Sequence, residues 1–202
     1  MKRWYRSIFI FLLFVVRAEA VRFLANSDLH VRTEDNDQSV LKFKQFGQML
    51  NLVNNAETNP IKALIFAGDL TSNGVAVEFN LLKQYYLEPL EALQKLGVST
   101  LLCHGNHDHI EHSIFKTPPV LDYIKKAYGS THYSRNIDGV NFICCEEYPT
   151  EGNYKKCWCP GTMSWLQREL RAIGTTAPIV IFFHYNLVGP FSDWWTKEAK
   201  DE

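Results

Sequence analysis

From residue 21 onward, short apolar runs alternate with segments in which apolar residues recur every three or four positions. The runs at Val21–Ala25, Ile61–Ala67, Val98–Cys103 and Pro178–Phe183 read as strands. Residues 38–54 carry Val40, Phe43, Phe46, Leu50 and Val53 at helical spacing, and Asn59-Pro60 breaks that segment. Ala76–Leu96 is helical in pattern but contains Pro89. A proline has no amide hydrogen to give the helix, so a kink or two shorter helices are expected there, closed by Gly97. A short helix starts at Pro118-Pro119 and ends near Gly129. His132–Ile137 and Val140–Cys144 flank Asp138-Gly139, a two-residue hairpin signal. Residues 162–173 form another helix, stopped by Gly174. Strand–helix alternation with an added hairpin predicts an α/β fold with a mixed sheet and helices outside.

The first twenty residues have a different character. Lys2, Arg3 and Arg6 lead into an apolar run ending at Val16, followed by Ala18-Glu19-Ala20. A basic flank, an apolar run and a small-x-small end are the parts of a secretory signal. The run is shorter than the ~20 residues a spanning helix needs. Residues 1–20 are therefore expected to be a signal peptide cleaved after Ala20. Residues 21–202 would form the domain, secreted or extracytoplasmic, with no stable membrane span once the signal is removed.

The whole chain has 202 residues, 46% hydrophobic and 21% charged, which suits one globular domain and excludes disordered, collagen-like and coiled-coil classes. Lys and Arg number 21 against 22 Asp and Glu, and four of the basic residues lie in the signal segment. The remainder is acidic, which argues against genomic nucleic acid as a partner. Composition leaves the oligomeric state open. Export would permit disulfides. Bridges from Cys144 or Cys145 to Cys157 or Cys159 are more plausible than bridges within either group, with Cys103 a buried thiol.

Polar residues that favour metals follow the apolar strands. They are Asp28-Leu29-His30, then Gly68-Asp69-Leu70-Thr71-Ser72-Asn73-Gly74, then Gly105-Asn106-His107-Asp108, then His184. In α/β sheets, ligands gather beyond the carboxyl ends of parallel strands. Asp28 and His30, two apart in an extended stretch, would point the same way and could grip one cation. Asp69 has two oxygens and could bridge two cations. Asn106 offers a carbonyl oxygen and His184 a nitrogen. The neighbouring glycines let the backbone turn tightly. Two divalent ions about 3.5–4 Å apart would activate water as a nucleophile and clamp both ends of an in-line displacement at phosphorus.

In this order the motifs resemble the calcineurin-like metallophosphoesterase superfamily, whose signature is D-x-H, G-D-x-x-x-x-G, G-N-H-D, a lone His and G-H-x-H. The similarity covers nearly all of residues 21–195, including the hairpin and the Trp165-Leu166 helix. The resemblance implies a calcineurin-like phosphoesterase fold, a mixed β-sheet sandwich flanked by helices. It implies two divalent metal ions (Fe, Mn or Zn) and a phosphate-ester substrate. Asp28 and His30 would hold the first metal, Asp69 would bridge, and Asn106 and His184 would hold the second. His107 would stabilise the transferring phosphoryl group or protonate the leaving oxygen, with Asp108 orienting its ring.

The G-H-x-H motif is missing. No histidine follows His184, and a helix entry at Thr196 has only six residues after it. The expectation is a fold incomplete at its C-terminus, part of a longer functional protein. The alternative is a catalytically impaired or inactive interaction module on the same scaffold. His109, His112 and His132 read as surface or satisfied core groups, the first two near enough to the site to touch substrate. His104 is either a donor behind the ligands or simple packing. Trp194-Trp195 would line a substrate pocket or pack under a neighbouring element.

Overall fold

A computed structural model describes residues 21–33, 45–51, 60–109, 117–145 and 160–184. Several sequence expectations lie outside them: the signal segment, most of the helix over 38–54, His112, Cys157, Cys159 and everything after His184. Within them the chain forms two three-stranded sheets with helices packed around them. The first sheet is β1 (Arg22–Asn26), β2 (Ile61–Ala67) and β3 (Ser99–Cys103), all parallel, in the order β1-β2-β3. The second is β4 (Tyr133–Ile137), β5 (Val140–Cys144) and β6 (Ile179–Phe182). There β4 and β5 are antiparallel, and β6 joins β5 in parallel. The expected mixed topology is thus divided between one parallel sheet and one mixed sheet.

Burial explains the sequence pattern of each strand. The near-continuous apolar run of β2 is that of a central strand, and Ala63, Leu64, Ile65 and Phe66 are all buried. β1 is an edge strand and mostly exposed. The hairpin turns through Asp138 (φ 48°) and Gly139 (φ 89°), two left-handed residues, as its sequence predicted.

Helix α1 covers 45–51 and places Phe46 against Phe66 and Tyr86 in the core. The segment before Gly97 is α2 (Ala76–Leu82), a wide π-helical turn (Lys83–Leu87) and α3 (Glu88–Gln94). Glu88 N–H bonds Lys83 O, one residue further back than in an α-helix. This wider turn lies just before Pro89, where an ordinary turn would meet the proline ring. Gly97, at φ 82°, closes the helix as predicted. α4 (Pro119–Tyr128) ends at Gly129 (φ 88°), whose N–H bonds Lys125 O. α5 (Pro160–Ile173) forms a separate apolar layer on the second sheet through Leu166, Ile143 and Cys145.

The two sheets are joined at the open edge of β3. Tyr133 Oη donates to Leu102 O at 2.8 Å and accepts from Leu102 N–H at 2.9 Å. Tyr128 Oη donates to Thr100 O at 2.8 Å. The two rings stack with centroids 4.1 Å apart, and the Arg135 guanidinium lies over both. Edge groups that would otherwise invite another strand are therefore satisfied by phenols. Burial raises the pKa of both tyrosines, so they remain donors. Cys103 is a buried thiol in this seam, and Cys144 and Cys145 are buried beside it, with Cys144 Sγ facing the carbonyls of Leu102 and Thr131. Cys157 and Cys159, the bridge partners expected for Cys144 or Cys145, lie outside the described residues.

Replacing Tyr133 by Phe strands both Leu102 groups in a dry seam. Urea unfolding should lose about 1–3 kcal/mol with an unchanged slope; an unaltered midpoint would mean the seam does not depend on this phenol.

Candidate metal centre

The loops after β1 and β2 continue side by side beyond the sheet. Asp28 N–H bonds Gly68 O (3.0 Å), His30 N–H bonds Asp69 O (2.9 Å) and Val31 N–H bonds Leu70 O (3.1 Å). An isolated parallel bridge between Val31 and Thr71 closes the pair. Asp28, His30 and Asp69 all have left-handed backbones, with φ of 58°, 46° and 50°. The D-x-H stretch is therefore not extended, contrary to the alternation argument. Its side chains converge because the backbone coils. Such conformations cost of order 1–3 kcal/mol each and persist where surrounding bonds impose them.

Asp108 supplies much of that imposition. Fully buried, it accepts from Leu70 N–H (3.2 Å), Thr71 N–H (2.8 Å), Thr71 Oγ1–H (2.8 Å) and Gly105 N–H (2.9 Å). Burial raises its pKa, while these donors pull it back. The expected contact between Asp108 and the His107 ring is not made, because those four donors occupy the carboxylate. Ser72 orients His107 instead, its carbonyl accepting from Nδ1–H at 2.8 Å. Asp108 is thus a clamp joining two loops, and the ring of His107 is held by Ser72.

Within this frame the predicted ligands meet. His30 Nε2 lies 3.5 Å from Asp28 Oδ1 and 3.4 Å from Asp69 Oδ2. His184 Nε2 lies 3.3 Å from the same Asp69 oxygen and 3.2 Å from Asn106 Oδ1. Two overlapping groups, His30–Asp69–His107 and Asp28–Asp69–His184, each place three ligand atoms within 4.8 Å of one another. Two details differ from expectation. Asp69 Oδ1 is taken by His107 N–H at 2.9 Å, so Oδ2 alone faces both histidines. The His107 ring, expected outside the ligand set, packs edge-to-face on His30 at 4.6 Å and falls within ligand reach.

Glycine is required where the ligands crowd. A β-carbon on Gly68 would lie 2.5 Å from the His184 ring, and one on Gly105 would strike Asp69 Oδ1. Asp69 is itself buried. Burial pushes its carboxyl up, but bonding and charge from His184, with help from His107, win and hold it below the usual range. For His184, burial pushes the imidazole down, and Asp69, the Ala67 carbonyl and Asp28 lift it to about 9.

Residues without a sequence signal complete the surroundings. Ser72 is one. Glu78 is another, fully buried and holding Asn73 through its backbone N–H and side-chain amide, both at 2.7 Å. His104 is buried and bonds the His109 ring at 3.0 Å, behind the ligands. The His132 ring packs on Trp165 at 4.7 Å, on the second sheet's side.

A family model described as calcineurin-like phosphoesterase matches residues 21–202. The chain belongs to the calcineurin-like phosphoesterase family. No curated protein was found to match it. The two small sheets and their helices agree with the α/β fold of this calcineurin-like domain. Membership supports a general phosphoesterase function, of the metal-dependent hydrolase class, acting on phosphate esters. The family typically binds divalent metals, and the site groups candidate ligands, His30, Asp69 and His184 among them. Among the described residues no helix is long and apolar enough to cross a membrane.

In the metal-free protein the proton on His184 holds the Asp69 pair together. Because the imidazole is raised from about 6.5 to about 9, its stabilisation is complete below about pH 6.5 and disappears as pH rises through 9. Melting temperatures of chelator-treated protein should fall across that window, and His184→Gln should flatten the profile. A melting temperature constant or rising to pH 9 would contradict the pairing.

Proposed function

We propose that this chain is an exported, dinuclear-metal hydrolase of phosphate esters. One observation carries the reading: a single buried carboxylate oxygen, Asp69 Oδ2, faces two separate histidine nitrogens that each have a further oxygen ligand beside them. Donors held about 2.1 Å from one ion lie about 3.0–3.4 Å apart for angles between octahedral and tetrahedral, and the spacings here are 3.2–3.5 Å. The protonation pattern fits as well. His184 donates Nδ1–H to Ala67 O at 2.9 Å, which leaves Nε2 as the ligand atom. Asp28 and His30 would serve one ion, Asn106 and His184 the other, and Asp69 both. Iron, manganese or zinc all suit this mixture of oxygen and nitrogen.

Bound there, the pair of ions would supply Lewis-acid activation of water and of the phosphoryl oxygens. The chain's own residues do the rest. Asp69 and its hydrogen bond from His107 N–H fix the centre of the site. Ser72 holds His107 through Nδ1, which leaves Nε2 as the nitrogen that would stabilise the phosphoryl oxygens or protonate the leaving oxygen. Asp108 keeps the loops in register. Export rests on the signal pattern of residues 1–20.

Asp69→Asn should reduce hydrolysis of an aryl phosphate by several orders of magnitude and lower metal content, the parent retaining about two ions per chain. Near-parental turnover in the variant would exclude the two-ion reading; a parent with far fewer ions would favour the inactive module. His107→Ala should keep both ions and lose about 100-fold or more in kcat, whereas loss of an ion would make His107 a ligand. Exported protein should begin at Val21 by intact mass, and a chain starting at Met1 would refute cleavage.

A further inference from the structure

Arg32 lies two residues after His30 and is exposed. Its Nε–H donates to Ser72 Oγ at 3.0 Å. Ser72 is the junction of the site's outer wall: its hydroxyl donates to His30 O at 3.0 Å, and its carbonyl accepts from the His107 ring at 2.8 Å. The Arg32 side chain is thereby tied to the residue that connects one metal-ligand candidate to the group facing the substrate. Among the described residues it forms no ion pair, and Nε is its one engaged nitrogen. A guanidinium anchored through Nε keeps its two terminal nitrogens as a planar fork of donors, which can both converge on one phosphoryl oxygen.

We infer that Arg32 is a specificity-determining residue that binds a terminal phosphoryl oxygen and selects phosphate monoesters over diesters; this deepens the phosphoesterase reading and rests on it. The chemistry is a count of oxygens and charge. A monoester has three non-bridging oxygens and, at neutral pH, close to two negative charges. A diester has two such oxygens and one charge. With two oxygens directed at the cation sites around Asp69, a monoester still has one for Arg32, and a diester has none. Exposed Asp28 and buried Asp69 both lie at the candidate cation sites, where bound ions would offset their charge and leave that of Arg32 to the substrate.

The test uses the full chain loaded with manganese and compares parent, Arg32→Lys and Arg32→Ala. Calorimetric titration with inorganic phosphate should show about tenfold or greater weakening in Arg32→Ala, with Arg32→Lys in between because an ammonium keeps the charge without the fork. Metal content should stay at the parental level. With para-nitrophenyl phosphate, KM should rise about tenfold with a smaller change in kcat. The preference for this monoester over bis-para-nitrophenyl phosphate should drop by a similar factor. Phosphate affinity within twofold of the parent would overturn the inference, and so would loss of metal in step with loss of phosphate, since Arg32 would then be holding the loops. Phosphate binding that depends on Arg32 in a chain without turnover would leave the inference standing and remove the hydrolase reading, so the two failures are distinct.

Discussion

Two buried carboxylates with opposite duties hold this site together. Asp108 gives every lone pair it can to backbone and hydroxyl donors on two loops, and so fixes where those loops end. Asp69 keeps one oxygen for the backbone of His107 and leaves the other facing His30 and His184. Without the first, Leu70, Thr71 and Gly105 would lose the acceptor that ties their two loops together beside the left-handed backbones of Asp28, His30 and Asp69. Without the second, three strand ends would still meet but would have nothing in common to bind.

The glycines follow from the same crowding. At Gly68 and Gly105 a side chain would occupy the volume that the His184 ring and the Asp69 carboxylate require. The site is compact because its backbone approaches itself closely. The sheets contribute by placing the strand ends at one rim, and the Tyr128–Tyr133 seam fixes β3 against the second sheet, which carries His184 just beyond β6.

Much of this was legible in the amino-acid order, because strand-end placement is a property of the pattern. The boundaries of β2, α4 and the hairpin follow from apolar runs, paired prolines and Asp138-Gly139. The meeting of Asp28, His30, Asp69, Asn106 and His184 follows from their positions after successive strands. What could not be read depends on the third dimension. Asp108 stands next to His107 in sequence yet turns away from it, since the fold offers it four donors. Ser72 acts on His107 through a backbone carbonyl, which no side-chain type announces. The coiled D-x-H backbone was invisible because aspartate tolerates left-handed angles without a glycine to mark them.

Anomalous diffraction from crystals of the manganese-loaded chain tests the central claim most directly. Two peaks about 3.5–4 Å apart, both in contact with Asp69 Oδ2, are the result this account requires. A single peak, or peaks held by other side chains with Asp69 left bonded to His184, would contradict it.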